Sequence, residues 1–346
     1  MAEPKKMNKG LSDDLIANIL EGIEPHFILK KKEKKYAGYS LVCKRWSRVG
    51  RDIGALSVKS NWWKTAAGFQ EHRDQVVRRL FVTVNPFEPK PSQDRRCFSW
   101  LRKVGSTLEE LRIKYDGMSP QVDLNDVSTC SMLRHLTLGC NVVGSIQVGF
   151  FPWLRSCVLG RVDAYVCQQL LDSSPVLEEF EISRVVVRRR RTQLIQNPLR
   201  SVSLKSFRLR GIRGPDELKL DFPNLEAAEV LLCSAKVVLQ TPVLKQLKLT
   251  TDTRAMLRFE LETSEPLQEL EAPLDSFRSI AATLDAMHLT TLTLRCRESD
   301  KLFDWKVVFP TVKKVVLICP IKWPGRAKLH SLRRNFPALG EVSCLR

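Results

Sequence analysis

The chain is predicted to be an α/β protein, in which a short helical segment precedes an irregular solenoid built around a curved parallel sheet. Three observations support this prediction. A six-position apolar pattern recurs along most of the chain, and apolar and polar residues alternate inside each copy. The segment before the first copy has helical periodicity instead.

The recurring pattern is leucine-x-x-leucine-x-leucine, and its copies begin about 24 residues apart, within the ~20–29-residue period of leucine-rich repeats. The clearest copies are LRHLTL from Leu133 and LTTLTL from Leu289. This regular recurrence predicts a leucine-rich-repeat solenoid. The first apolar positions of the copies are Val77, Leu108, Leu133, Leu154, Leu177, Leu199, Leu225, Leu244, Leu267, Leu289, Val312 and Leu339.

Each copy is expected to form one short strand, because its alternating residues give one apolar and one polar face. Such a strand cannot bury its apolar side alone, so successive copies must stack into a parallel sheet with a continuous core. Between copies, apolar residues and breakers such as Leu170, Leu171 and Pro175 occur. These predict return segments that are helices or irregular turns.

The third and fifth positions of each copy are expected to face away from the core, on the concave side, where solenoids bind partners. The candidate contacts for a target protein are Glu179, Glu181, Lys248, Glu269 and Glu271. Charge pairs between neighbouring strands are the alternative explanation for these residues. The third and fifth positions are Glu110 and Arg112, His135 and Thr137, Ser156 and Val158, Glu179 and Glu181, Ser201 and Ser203, Ala227 and Glu229, Gln246 and Lys248, Glu269 and Glu271, Thr291 and Thr293, and Lys314 and Val316.

The chain is strongly basic, with a net charge of +18, which favours acidic partners. No acidic residue lies between Glu181 and Asp216. Arginine binds phosphate through a planar, bidentate fork, so an acidic or phosphorylated target segment is one hypothesis for the arginine run in this stretch. A solvated loop and a nuclear-import signal are the others. The run consists of Arg188, Arg189, Arg190 and Arg191.

Several protein classes are disfavoured by what the sequence lacks. It contains no H-E-x-x-H, no G-x-x-x-x-G-K-[ST] and no G-x-S-x-G motif, so no catalytic residue, cofactor or metal is predicted. Its ten cysteines include no C-x-x-C pair and are expected to be reduced, buried thiols. No apolar run approaches the ~18–20 residues that span a membrane, and no secretory signal is apparent. We therefore expect a nuclear or cytoplasmic protein.

The first part of the chain has the periodicity of helices. Leu11, Leu15, Ile19 and Ile23 fall on one face of a predicted helix. Ser12 is placed to cap this helix. A second helix is predicted around Val42, Trp46, Val49 and Ile53.

The segments LSDDLIANILEGI and YSLVCKRWSRV, which begin at Leu11 and Tyr39, resemble an F-box. The closing hexapeptide of that family, Leu-Val-Cys-Lys-Arg-Trp, is fully matched from Leu41 to Trp46. Ser12 stands where the family usually has proline, and the lysine-rich run from Lys30 to Lys35 lengthens the middle. The repeats, as in FPNLEAAEV and TPVLKQLKL, are similar to those of plant F-box/leucine-rich-repeat proteins. The resemblance implies an F-box over 8–58 and a repeat solenoid over 59–346.

The resemblance implies a non-catalytic substrate-recognition subunit of an SCF-type ubiquitin ligase. Its F-box would bind a Skp-family adaptor, and through it a cullin and a RING protein, while the repeats would bind the protein to be ubiquitinated. The same apolar residues would otherwise form the core of the helical segment. By position, the adaptor-binding residues are Leu11, Ser12, Leu15, Ile16, Ile19, Leu20, Leu41, Val42, Cys43 and Trp46.

Two alternatives remain open. The altered middle of the F-box is consistent with a scaffold protein that binds its adaptor weakly. The positive charge is consistent with a basic repeat protein that binds nucleic acid through its phosphates. The absence of a helix-turn-helix, zinc-finger or RNP-like motif disfavours nucleic acid as a partner.

Overall fold

A computed structural model describes the repeat region in most detail. The described residues are 55–59, 78–84, 101, 105–115, 121–144, 149–186, 198–213, 217–232, 236–251, 259–263, 267–274, 277, 288–295, 308–318 and 332–345. The candidate adaptor-binding residues, which fall within 11–46, and the arginine run 188–191 lie outside these ranges. The predicted F-box and its contacts therefore stay predictions.

The chain divides into two compact units, Met1–Arg161 with Ser173–Pro175, and Val162–Asp172 with Val176–Arg346. The first unit contains five strands and most of a sixth, with a 3-10 turn at Gly105–Thr107 and helix α1 at Leu124–Val127. Strand β1 runs through the predicted boundary between residues 58 and 59. The strands are β1 Ala55–Lys59, β2 Arg79–Val84, β3 Glu110–Tyr115, β4 Gln121–Asp123, β5 His135–Val143 and β6 Ser156–Asp163.

The strands of the first unit form a parallel sheet in the order β1-β2-β3-β5-β6, with β4 also paired to β5. Arg79, Glu110 and His135 are aligned in register across β2, β3 and β5. Gly160 lies where β6 comes closest to β5, because a Cβ at this position would be 2.6 Å from the carbonyl oxygen of Cys140. The predicted stacking of successive copies is confirmed here.

Helix α2 spans Ala164–Ser173, and all of it except Ser173 belongs to the second unit. Thirteen strands follow among the described residues, all of them short and parallel in their pairing. They are β7 Glu179–Val186, β8 Leu199–Arg200, β9 Ser206–Leu209, β10 Ile212–Arg213, β11 Glu217–Asp221, β12 Ala227–Leu232, β13 Lys236–Gln240, β14 Gln246–Thr251, β15 Phe259–Glu262, β16 Glu269–Pro273, β17 Thr291–Arg295, β18 Lys314–Ile318 and β19 Glu341–Leu345.

The main sheet of the second unit has the order β7-β9-β12-β14-β16-β17-β18-β19, and β10 also pairs with β7. Every neighbouring pair is parallel, and the third positions of successive copies are partners, as in Gln246, Glu269 and Thr291. The order of the strands in the sheet follows their order in the chain. The protein is therefore a parallel β-solenoid with few helices in its described part, as the repeat pattern predicted.

The return segments differ from the prediction. Helix α2 buries Leu170 and Leu171 as expected, but four later return segments are strands rather than helices or irregular turns. They form a second parallel sheet in the order β15-β13-β11-β8. Their apolar residues explain this, because β11 alternates, burying Leu218 and Leu220 and exposing Lys219 between them, while β13 buries the β-branched and apolar run 237–239.

One copy begins five residues later than predicted. The expected strand from Leu199, with Ser201 and Ser203 outward, is wrong: Ser201 is almost fully buried, and the main-sheet strand is β9. The overlapping hexapeptide LKSFRL, which begins at Leu204, contains this main-sheet strand. Phe207 and Leu209 are apolar and enter the core, so this frame buries more apolar surface than LRSVSL would.

A repeated hydrogen bond fixes the register between copies. The carbonyl at the second position of one copy accepts from two successive amides of the next. The carbonyl oxygen of Lys245, for example, accepts from the amides of Gln268 and Glu269, both at 2.9 Å. The same arrangement occurs at Glu109, Arg134, Glu178, Lys205, Glu226, Gln268, Thr290 and Lys313.

The core of the second unit combines the repeat leucines with rows of phenylalanines. The Phe207 ring lies 6.2 Å from that of Phe180 and 5.1 Å from that of Phe222. A second row places the Phe309 ring 5.3 Å from Phe277 and 5.6 Å from Phe336. These residues come from successive coils, so each aromatic row packs neighbouring coils against one another.

The described cysteines are thiols outside any disulfide, and all except Cys344 are buried. Burial raises the pKa of both Cys130 and Cys140 to about 12, so these thiols remain protonated at neutral pH. The predicted burial is confirmed for Cys130, Cys140, Cys157 and Cys167, and is wrong for Cys344, whose thiol is exposed. Within the described ranges, no helix has both the length and the apolar character needed to cross a bilayer.

Candidate protein-binding face

The five predicted target-contact residues of the repeats lie on one face of the second unit's main sheet. Glu179 and Glu181 are in β7, Lys248 is in β14, and Glu269 and Glu271 are in β16. The residues between them in each strand, such as Phe180 and Leu270, are buried. Alternation therefore directs all five side chains away from the core, as predicted. We refer to this surface, from β7 to β17, as the outer face.

The fifth positions of the outer face form a ladder of alternating charge. Strand register aligns Glu181 with Arg208 and Glu229, and then Glu229 with Lys248 and Glu271. Parallel neighbours lie ~4.8 Å apart, so long side chains of opposite charge on adjacent strands can meet. The result is a row of glutamates that alternate with basic residues across five strands.

Each basic residue of the ladder contacts a glutamate on at least one side. Arg208 Nε lies 3.3 Å from Glu229 Oε2, and Arg208 Nη1 lies 3.8 Å from Glu181 Oε2. Lys248 Nζ is 3.6 Å from Glu229 Oε1 and 3.7 Å from Glu271 Oε2. These contacts confirm the alternative interpretation of Glu181, Lys248 and Glu271 as lateral charge pairs.

Two further arginines extend the ladder along the strands. Arg210 Nη2 lies 2.8 Å from Glu181 Oε1, two residues beyond the fifth position of its copy. Arg295 donates from Nε to Glu271 Oε1 at 2.7 Å. Exposed ion pairs contribute only ~0–1 kcal/mol each, so the main effect of the ladder is to order these side chains and neutralise the arginines and lysine.

The third positions of the outer face are different, because two of their glutamates have no ion pair among the described residues. Glu179 and Glu269 are both exposed. Between them the third positions are Ser206, Ala227 and Gln246. Because serine and alanine are small, they leave a shallow depression of about 290 Å³ at the outer face, bordered by the ladder.

Sequence reasoning missed the arginines of the outer face, Arg208, Arg210 and Arg295. Arg208 lies in the stretch without acidic residues between Glu181 and Asp216, and it was not placed on a strand because the predicted copy begins at Leu199. The hexapeptide LKSFRL was the signal that could have placed it. Arg295 lies beyond the six-position pattern, and no sequence signal showed that it would reach Glu271.

The described strands of the first unit carry a smaller polar cluster. Arg112 donates from Nε to Glu110 Oε1 at 2.6 Å, and its guanidinium lies 5.2 Å from the centre of the Phe81 ring. This is a cation–π contact. Large apolar side chains are also exposed in this unit, including Phe150 at 62 % and Trp153 at 55 %.

The outer face presents charged and polar side chains that can make non-covalent contacts. No group of three or more His, Cys, Asp or Glu residues with metal-binding geometry occurs within the described ranges. The raised pKa values of Cys130 and Cys140 make these thiols poor nucleophiles. The face offers paired charges, two glutamates without ion pairs and a depression. No family model and no curated protein matches the chain.

Proposed function

We propose that the protein is a substrate-recognition subunit of an SCF-type ubiquitin ligase. The observation that carries this proposal is the sequence of Leu41–Trp46, a complete match to the closing hexapeptide of the F-box, ahead of a parallel β-solenoid. In this proposal the segment 8–58 binds a Skp-family adaptor, which brings a cullin and a RING protein. The solenoid binds the target, and the ubiquitin-transfer chemistry belongs to other subunits.

The architecture of the second unit is consistent with the target-binding half of this proposal. Its main sheet presents polar side chains at third and fifth positions over a continuous apolar core. A rigid sheet of this kind holds contact residues in a fixed geometry, so little conformational entropy is lost on binding. Nuclear or cytoplasmic localisation belongs to the same proposal.

The adaptor-binding half predicts that Leu15→Ala combined with Trp46→Ala abolishes capture of a Skp-family adaptor by the full chain. Buried aromatic and aliphatic anchors at interfaces are each worth about 2 kcal/mol or more, so the loss of both should weaken binding about a thousandfold. Affinity would be measured by pull-down and by biolayer interferometry with purified adaptor. Arg48→Ala, predicted to lie on another face of the second helix, is the matched control.

Retention of wild-type adaptor binding by the double variant would contradict the proposal, provided that its melting temperature and circular dichroism are unchanged.

Measurements on the wild-type chain also distinguish the two alternative functions, a weakly binding scaffold and a nucleic-acid-binding protein. A scaffold protein would bind the adaptor weakly in both forms. A nucleic-acid-binding protein would instead co-purify with nucleic acid that is lost at moderate salt, because phosphate contacts are strongly salt-dependent.

A further inference from the structure

The charge of the outer face is unlike that of the chain as a whole. The chain carries a net charge of +18. On the outer face, however, Arg208, Arg210, Lys248 and Arg295 each lie within 4.0 Å of a glutamate. These four basic residues share three glutamates, and two further glutamates without an ion pair among the described residues, Glu179 and Glu269, lie at the third positions. With five glutamates and four basic residues, the third positions and the ladder together carry one net negative charge.

The two glutamates without ion pairs are Glu179 and Glu269, and strand register fixes their separation. Glu179 is aligned with Ser206, Ser206 with Ala227, Ala227 with Gln246, and Gln246 with Glu269. Four strand spacings of ~4.8 Å put the two Cα positions about 19 Å apart. An extended chain advances ~3.3 Å per residue, so two residues about six positions apart would span this distance.

The depression extends from β9 to β17, so that Glu269 lines it while Glu179 does not. Ser206, Ala227 and Gln246 line it at the third positions. A side chain that enters here would contact the methyl of Ala227 without displacing an ion pair. The third positions thus place Glu179, the small side chains of Ser206 and Ala227, and Glu269 in one line across the strands.

We propose that the outer face binds an extended, basic segment of a partner protein that crosses the strands along the third positions. Two lysine or arginine side chains, about six residues apart, pair with Glu179 and Glu269. A residue about two positions from the one at Glu269, whose side chain points to the same side as the two basic residues, occupies the depression beside Ala227 and Gln246. This inference rests on the proposed function and deepens it, since it gives the chemistry of the target segment.

The pairing pattern disfavours an acidic segment at this face. Arg208, Arg210, Lys248 and Arg295 already have carboxylate partners, so at these residues an incoming carboxylate or phosphate would have to compete with Glu181, Glu229 or Glu271. A basic side chain meets no such competition at Glu269. The hypothesis of a phosphorylated target concerns residues 188–191, outside the described ranges, and serves as an outcome of the test.

The test is fluorescence anisotropy of the full chain with a labelled, otherwise Gly/Ser peptide. This peptide carries two arginines about six positions apart and one leucine about two positions from one of them, so that all three side chains point to the same side. A charge-reversed peptide carries glutamates in place of the arginines, and a third carries phosphoserines. We expect binding of the arginine peptide only, with an affinity that falls as salt screens the charges.

Variants locate the binding to the two glutamates. Glu269→Gln and Glu179→Gln should each weaken binding of the arginine peptide about two- to fivefold, the range for exposed ion pairs. Together they should weaken it about tenfold. Glu260→Gln is the matched control, because it removes the same charge from the second sheet of the same unit, where Glu260 pairs with Lys236. It should leave peptide binding unchanged.

Three results would overturn the inference: no binding of the arginine peptide, equal or tighter binding of the acidic or phosphorylated peptide, or unchanged affinity in both glutamate variants. Adaptor capture is measured on the same samples to separate the two proposals. Loss of adaptor capture with intact peptide selectivity would overturn the proposed function alone. Adaptor capture without peptide selectivity would overturn this inference alone.

Discussion

A single aromatic residue, Phe207, determines which frame of the pattern becomes a strand. Its side chain is almost fully buried and lies between the rings of Phe180 and Phe222. Had the copy begun at Leu199, Phe207 would have fallen beyond the strand. The burial of one large side chain, worth ~2–3 kcal/mol, therefore favours the observed frame.

Phe207→Ala is expected to lower the free energy of unfolding by about 3–5 kcal/mol, because it removes transfer energy and leaves a cavity between two rings. Chemical denaturation would measure the change. Phe150→Ala removes the same atoms from a side chain that is 62 % exposed, so it should change stability by less than about 0.5 kcal/mol. Similar losses for both variants would contradict the assigned frame.

At the level of elements, helix α2 covers one edge of the second sheet through a single side chain. Gln168 Oε1 accepts from the Arg200 amide at 2.8 Å, and Gln168 Nε2 donates to the Arg200 carbonyl at 3.1 Å. Arg200 belongs to β8, the edge strand of that sheet. The glutamine amide thus replaces a neighbouring strand at an edge that would otherwise be open to another chain.

Gln168→Ala is expected to cost about 1–2 kcal/mol of stability, since the two exposed hydrogen bonds to Arg200 and a third to Asp172 are lost, each at the lower end of the ~0.5–1.5 kcal/mol range. The Arg200 amide should also exchange faster with deuterium. Gln168→Met keeps the length of the side chain and removes all three bonds, so a similar loss is expected. Wild-type stability and exchange in the methionine variant would show that packing, not hydrogen bonding, is what Gln168 contributes.

Across the second unit, coils contact mainly their neighbours, and stability should vary along the solenoid. Leu292 is fully buried in β17, in the later part of the main sheet. We expect Leu292→Ala to destabilise by about 2–5 kcal/mol and to increase amide exchange most in β16, β17 and β18. Hydrogen–deuterium exchange would detect this gradient. Equal loss of protection in β9 and β12 would indicate instead that the unit unfolds as one cooperative body.

The repeat pattern was sufficient to predict the parallel solenoid, the strand at most copies and the outward direction of Glu179, Lys248 and Glu269. These follow from local periodicity, because alternation alone decides which side chains can enter the core. The F-box resemblance likewise depends on contiguous residues, and it stays a prediction whose test is adaptor binding.

The register between strands about twenty residues apart decided the rest. The register placed the strand of one copy at Leu204 rather than Leu199, and four return segments paired as a second sheet. It placed Arg208 beside Glu181 and Glu229, and Arg295 beside Glu271. It also left Glu179 and Glu269 without ion pairs among the described residues. Contacts of this kind depend on which side chains lie opposite each other after stacking, and local periodicity does not contain that information.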